Sequence, residues 1–343
     1  MRPTTPFAPG GAATAPADAD APTFSTIRSC GKCHEVGRVS GGWHFNAFAA
    51  TVDAGRPGEP WLLSDPASGT LLPLSGRGWP GTWQPAEVGL SSFEFAQRFG
   101  RHMPGGLNEN LFAEEGPPAR WPVSGPLEID CLACHSADNR HDPAEAARQV
   151  ERQNFRWAAT AALGAAVIRG DASRLPDDWD PLFPPNPDRP DLAGPRTVYD
   201  RSRFDADDRI FIDITRSPPS ARCEFCHSQR PVGSGAPAVF ETFVDVHLSA
   251  GMSCVDCHRN DIDHHVVRGA EFEISTNPLA GVLTCRGCPL GEAGAAAAEH
   301  QLGGHLAAPR SEHRGIPPVH FERMTCTACH SGPWPADAPL RFQ

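Results

Sequence analysis

Cys30-Gly31-Lys32-Cys33-His34, Cys131-Leu132-Ala133-Cys134-His135, Cys223-Glu224-Phe225-Cys226-His227, Cys254-Val255-Asp256-Cys257-His258 and Cys326-Thr327-Ala328-Cys329-His330 repeat one pattern within a chain of 343 residues. A sixth pair, Cys285-Arg286-Gly287-Cys288-Pro289, keeps the cysteines and puts proline where the histidine belongs. All 12 cysteines of the chain fall in these pairs. Cysteines three apart lie on one side of a helical turn, and the residue after the second one sits where its ring can approach whatever the sulfurs hold.

That spacing is the attachment signature of c-type haem. Two sulfurs add to the two vinyl groups of one porphyrin, and the adjacent histidine offers an imidazole to the iron. Two other chemistries use Cys-x-x-Cys. Four-cysteine zinc sites pair such motifs, but zinc gives no reason for a histidine after each pair. A thioredoxin-like redox motif does not recur six times. The expectation is five haem c groups with their iron, and a sixth if Cys285 and Cys288 carry one. Proline offers no axial ligand, so that pair holds no haem, or a haem ligated from elsewhere, or reflects a one-base change of codon. No pair is followed by lysine, which excludes a lysine-ligated haem of the Cys-x-x-Cys-Lys kind.

Five irons with proximal ligands His34, His135, His227, His258 and His330 need sixth ligands if they are closed to substrate. The remaining histidines are His44, His102, His141, His247, His264, His265, His300, His305, His313 and His320. His247 and His320 stand just upstream of the fourth and fifth motifs. His264 and His265 follow the fourth, and of an adjacent pair only one points at a given iron. His44 lies between Trp43 and Phe45, His141 follows the second motif, and His102 precedes Met103, an alternative ligand. His305 and His313 lie between the sixth pair and the last motif, placed to serve a sixth haem. Arg98 and Arg101 near His102 could attract a small anion, but they read first as solvated surface arginines or propionate partners.

Composition narrows the class. Net charge is −11, which argues against a nucleic-acid partner. Mean hydropathy is −0.36 and no segment is long enough to span a membrane. The 36 prolines and 33 glycines predict much loop and few long elements. Residues 1–23 are rich in Ala and Pro and read as a disordered tail. Haem c is attached outside the cytoplasm, so a periplasmic or extracellular location is expected. Residues 1–23 lack the apolar core of an export signal, which points to a fragment, a misplaced start or an absent leader.

The motifs divide the chain into residues 24–220, with two motifs and large insertions, and residues 221–343, a dense cluster; the two parts can share one core. The clearest predicted helix covers 143–169, with Asp142 as N-cap, Pro143 in the first turn and Gly170 as stop. Residues 41–130 read as loops with short elements, residues 171–198 as loop, and Ala295–Ala298 as a second short helix. The expected fold is mainly α with extensive loop and little β, organised around a stack of covalently bound haems.

On these motifs the chain resembles the multihaem c-type cytochromes over residues 24–335. Asp130-Cys131 through His135, Val246-His247-Leu248 before Cys254, and His320-Phe321 before Cys326 are also similar to octahaem cytochromes of the tetrathionate-reductase type, although the chain has too few motifs for eight haems. The broad resemblance implies an extracytoplasmic electron carrier with mostly bis-His haems, served by a quinol-side donor or redox partner proteins, alone or as an oligomer. The alternative is a reductase or oxidase of a small nitrogen or sulfur compound with one open haem. Tyr199 is the single tyrosine, which disfavours a tyrosine-crosslinked haem.

Overall fold

The computed structural model describes residues 4–18, 21–42, 44–45, 61–64, 67–75, 81–105, 120–138, 140–179, 187–227, 246–267, 269, 279–280, 282–290, 313–326 and 329. Its elements are short. In chain order they are α1 (Thr26–Cys30), α2 (Val36–Val39), β1 (Trp61–Ser64), β2 (Leu71–Leu74), α3 (Ser92–Phe99), α4 (Trp121–Ser124), α5 (Leu132–His135) and α6 (Pro143–Glu151). There follow α7 (Ala158–Ala162), β3 (Ala166–Arg169), β4 (Arg196–Tyr199), α8 (Ser220–Glu224), α9 (Val246–Ser249), α10 (Cys254–Cys257), α11 (Gly287–Leu290) and α12 (Pro318–Arg323). Two antiparallel hairpins supply the strands, with Trp61 opposite Leu74 and Ala166 opposite Tyr199.

Among the described residues, most of the buried hydrophobic core lies before Ile212, with a small separate cluster of Val267, Ala280 and Leu283. The α3 helix starts at a capping box, in which the Ser91 side chain takes the Glu94 amide and the Glu94 carboxylate takes the Ser91 amide. Phe93 and Ala96 of this helix pack with Trp121, Leu127, Val150 and Phe155. The Phe93, Trp121 and Phe155 ring centroids stand 5.2–5.8 Å apart, within the range where aromatic quadrupoles attract. Phe95 and Phe99 turn to the other side and meet Leu74, Leu90 and the half-buried Trp61.

The expected helix over 143–169 is interrupted. Asp142 does cap it, accepting from the Ala144 amide at 2.9 Å, and Pro143 occupies the first turn. The helix stops at Glu151, Gln153 takes a left-handed φ of 58°, and Phe155–Trp157 form a 3-10 turn before α7. Buried Asn154 explains the break. Its amide donates to Gln149 Oε1 and Gly170 O, and its carbonyl oxygen accepts from the Ala172 amide, bonds a continuous helix could not make. Residues 166–169 then form β3, and part of the 171–198 segment becomes β4. Ala295–Ala298 lie outside the described residues.

The start of the chain also departs from the expectation of a disordered tail. Thr4 and Ile210 exchange two backbone hydrogen bonds of 2.9 Å, Phe7 bridges Ala13, and the Ser25 amide donates to Phe7 O at 2.8 Å. Tyr199 OH donates to Pro22 O at 2.8 Å. Composition favours disorder, but the main-chain groups of this segment find fixed partners in the 199–210 strand and turn.

Candidate functional site

The Cys-x-x-Cys-His segments share one local geometry. The histidine amide donates to the carbonyl of the first cysteine at 3.1 Å in the first motif, 3.0 Å in the second, 2.8 Å in the third and 2.9 Å in the fourth. This single turn places the imidazole beside the two sulfurs. In the fifth motif the Cys329 amide donates to Cys326 O at 3.2 Å. His330 lies outside the described residues, as do His300, His305 and the side chain of His102. At the sixth pair Pro289 has no amide hydrogen to close the turn.

Side-chain bonds stitch consecutive motifs together. Ser25 Oγ, at the N-cap of α1, donates to the Glu128 carboxylate at 2.8 and 2.9 Å, and Thr26 Oγ1 donates to Ile129 O. Glu128 is held above the usual carboxylate range by burial. These contacts bring Cys30 and Cys131 near enough for each thiol to shift the other's titration, Cys30 downward and Cys131 upward. Between the second and third motifs, Arg222 donates to the His141 carbonyl at 2.9 Å and to Asp138 O. The Thr215 amide donates to His135 O at 2.8 Å. Cys134 consequently lies near enough to Cys223 and Cys226 to raise both of their thiols.

The third and fourth motifs repeat the arrangement of the first two. The Cys254 amide donates to Ser220 Oγ at 3.2 Å, and the Cys223 and Cys254 thiols lie near enough to shift each other's titration. The bonds from Cys223 and Ser220 pull the Cys254 thiol down to about 6, while Cys223 is pushed up. Burial raises Cys134 to about 11 and Cys226 to about 12. All 12 cysteines are thiols in the structure.

The histidines fall into two kinds. His135 and His258 donate from Nδ1 to the carbonyls of Thr215 and Val267 at 2.8 and 2.9 Å. A carbonyl can only accept, so each ring carries its proton on Nδ1 and keeps the Nε2 lone pair. Metal-ligating histidines are held in this way. Burial lowers both His135 and His227 below the ordinary histidine range, which also favours the neutral ring. His264 makes the same bond to Ile262 O at 2.9 Å. Its ring centroid lies 6.0 Å from that of His135, and the His44 centroid lies 6.2 Å from that of His227.

His141 is of the second kind. Its Nε2 meets Asp130 Oδ2 at 2.6 Å, in a pair almost wholly buried. Asp130 Oδ1 also accepts the Leu132 amide at 3.0 Å, so this pair sets the start of the second motif. Its signal in the sequence was slight: an aspartate before a cysteine and a histidine after it. Sequence reading also missed Thr215 and Arg222, whose partners His135 and His141 lie 80 and 81 residues away, and Val267, nine residues after His258, which no motif marks.

His247 and His320 lie on the exposed faces of α9 and α12, and His265 donates its amide to Asp263 Oδ1 at 3.0 Å. His313 is half-buried at the start of the turn before α12. Among the described residues no three His, Cys, Asp or Glu side chains converge on a point where a bare ion would sit, and no helix is long and apolar enough to cross a membrane. No protein-family model, curated protein or solved structure matches this chain.

Proposed function

We propose that the protein is an exported multihaem c-type cytochrome that carries electrons along a row of covalently bound haems. The observation that supports it best is the succession of motif turns. Four have the same main-chain bond, and side-chain and main-chain bonds join the motifs in sequence: Ser25 to Glu128 and Thr26 to Ile129 between the first and second, Arg222 to Asp138 and His141 between the second and third, and the Cys254 amide to Ser220 between the third and fourth. A row of this kind suits short-range transfer, because groups held at adjoining motifs would be neighbours.

The residues fit the group. Haem attachment would use Cys30 and Cys33, Cys131 and Cys134, Cys223 and Cys226, Cys254 and Cys257, and Cys326 and Cys329, with His34, His135, His227, His258 and His330 on the iron. The Nδ1 bonds of His135 and His258 supply the orientation and tautomer such a ligand needs. Burial adds to this. No described hydrophobic side chain is fully buried between Ile210 and Val267, while Met252, Ile262, Ile316, Val319 and Met324 stand exposed near the later motifs. These side chains suit the rim of a large apolar ring. When bound, haem c supplies a one-electron iron couple whose potential is set by its axial ligands and burial. Pro289 offers neither imidazole nor amide hydrogen, so the reading assigns five haems.

The donor would be a quinol-side protein and the acceptor a soluble partner, both outside the cytoplasm. The test is to purify the protein from a host with haem-attachment machinery and follow its spectrum with reductant and acceptor. The expected result is full, reversible reduction and no steady turnover of nitrite, hydroxylamine or tetrathionate. Sustained consumption of any of these would replace the carrier reading with an enzyme.

A further inference from the structure

The geometry points to a specific pairing: His264 is the distal ligand opposite His135, and His44 is the distal ligand opposite His227. The pairing rests on the multihaem reading and names which chain segments close its second and third haems.

Spacing comes first. Two imidazoles on opposite sides of one metal, each with a metal–nitrogen bond of about 2.0–2.1 Å, have ring centroids about 6.3 Å apart. The observed separations are 6.0 Å for His135 and His264 and 6.2 Å for His44 and His227. Distance alone does not decide, since aromatic edge contacts fall in the same range. The tautomers go further. Both members of the first pair have Nδ1 bonded to a carbonyl, so both present a lone pair on Nε2. Each ring thus keeps the nitrogen an electron-pair acceptor would take, with the two rings 6.0 Å apart.

The backbone gives an independent reason. His264 has φ 57°, in the left-handed region that residues other than glycine rarely adopt without strain. Such strain persists where surrounding structure imposes it, and here it does. The His264 amide donates to Asp261 O at 3.0 Å. The backbone of Gly42 presses on His264, so close that an added Cβ would stand 2.6 Å from the His264 Cβ. Phe45 covers the same ring at a centroid distance of 5.9 Å. Of the doublet after the fourth motif, His264 is therefore the member fixed toward His135.

The segment from Gly42 to Phe45 thus serves both sites. Its ends brace His264, and His44 faces His227 between them. One short stretch after the first motif closes the distal sides of the second and third. His141, with Nε2 on Asp130, positions the second motif and is not its distal ligand.

The experiment uses the haem-loaded protein. His264→Ala, His44→Ala and, for contrast, His265→Ala are compared by ferric electron paramagnetic resonance and by haem content per chain. Expected for His264→Ala and for His44→Ala is conversion of one haem in five from low-spin to high-spin, reversed by added imidazole. His265→Ala should leave every signal of the parent protein in place. Five attached haems with no spin change in His264→Ala or His44→Ala would overturn the pairing and leave the cytochrome reading standing. A parent protein without covalent haem would overturn that reading instead. If the alanine variants fail to load, His264→Met and His44→Met keep a ligand. Each should then raise the midpoint of one haem and give a methionine–iron charge-transfer band, and absence of both overturns the pairing.

Discussion

Gly42→Ala is the most informative small perturbation of this molecule. The added methyl carbon would lie 2.6 Å from His264 Cβ, 2.7 Å from its carbonyl oxygen and 3.0 Å from its carbonyl carbon. Carbon atoms settle at about 3.5–4.0 Å, so the two segments must part by about 1 Å. His264 cannot yield by a small torsion, because its left-handed backbone already occupies a narrow allowed region. Overpacking of this kind costs about 1–3 kcal/mol. Metal–ligand distances hold to about 0.2 Å, so a shift of this size would take the imidazole out of bonding range.

The assay is the ferric spin state of the haem-loaded variant, followed by cyanide binding and thermal unfolding. Gly42→Ala should show one haem partly high-spin and open to cyanide, with a lowered melting temperature. Gly41→Ala is the control, since its nearest neighbour, Arg38 O, would lie at an ordinary 3.4 Å. Identical low-spin spectra for both variants would refute the claim that Gly42 holds His264 in place.

Three other outcomes follow from named contacts. Asp130→Asn leaves His141 buried without its carboxylate and should cost about 3 kcal/mol, seen in denaturant unfolding; an unchanged midpoint would mean the pair contributes nothing. Asn154→Ala strips partners from the Gly170 carbonyl and the Ala172 amide and should cost about 2 kcal/mol by the same measurement. In the haem-free protein Cys254, with its thiol near 6, should alkylate at a rate that rises through that pH and levels off by neutrality, while Cys226, near 12, stays slow. The sign follows from linkage. A thiol depressed on folding adds stability above its unfolded value and loses it as pH falls through 6. Mass mapping of the alkylated sites checks the order, and equal rates at the two cysteines would contradict it.

Local signals in the chain proved readable where the cause is local. Asp142 and Pro143 start α6 as their types dictate, and the histidine after the cysteine pair corresponds to a repeated turn in the first four motifs. The capping box of Ser91 and Glu94 is equally legible, three residues apart before an apolar run, within the segment read as loops with short elements. The end of α6 was not legible, because Asn154 breaks it through partners at Gly170 and Ala172 that no helical periodicity reveals. The N-terminal segment was misjudged for a similar reason: its composition is that of a disordered chain, and its anchors, Tyr199 and Ile210, lie far along the sequence. Among ten spare histidines, residue type and spacing could not say which faces which. That depended on Gly42 and on a strained backbone at His264, which appear only once the chain is folded.

The most direct test of the central claim is the covalent haem content of the purified chain, by intact mass and by the alkaline pyridine spectrum of the reduced protein. Five haems per chain, retained after denaturation and lost one at a time when a motif's cysteine pair is replaced by alanine, is the result expected. A protein with unmodified thiols from a host that attaches haem to other cytochromes, or one that binds zinc instead, would contradict the account.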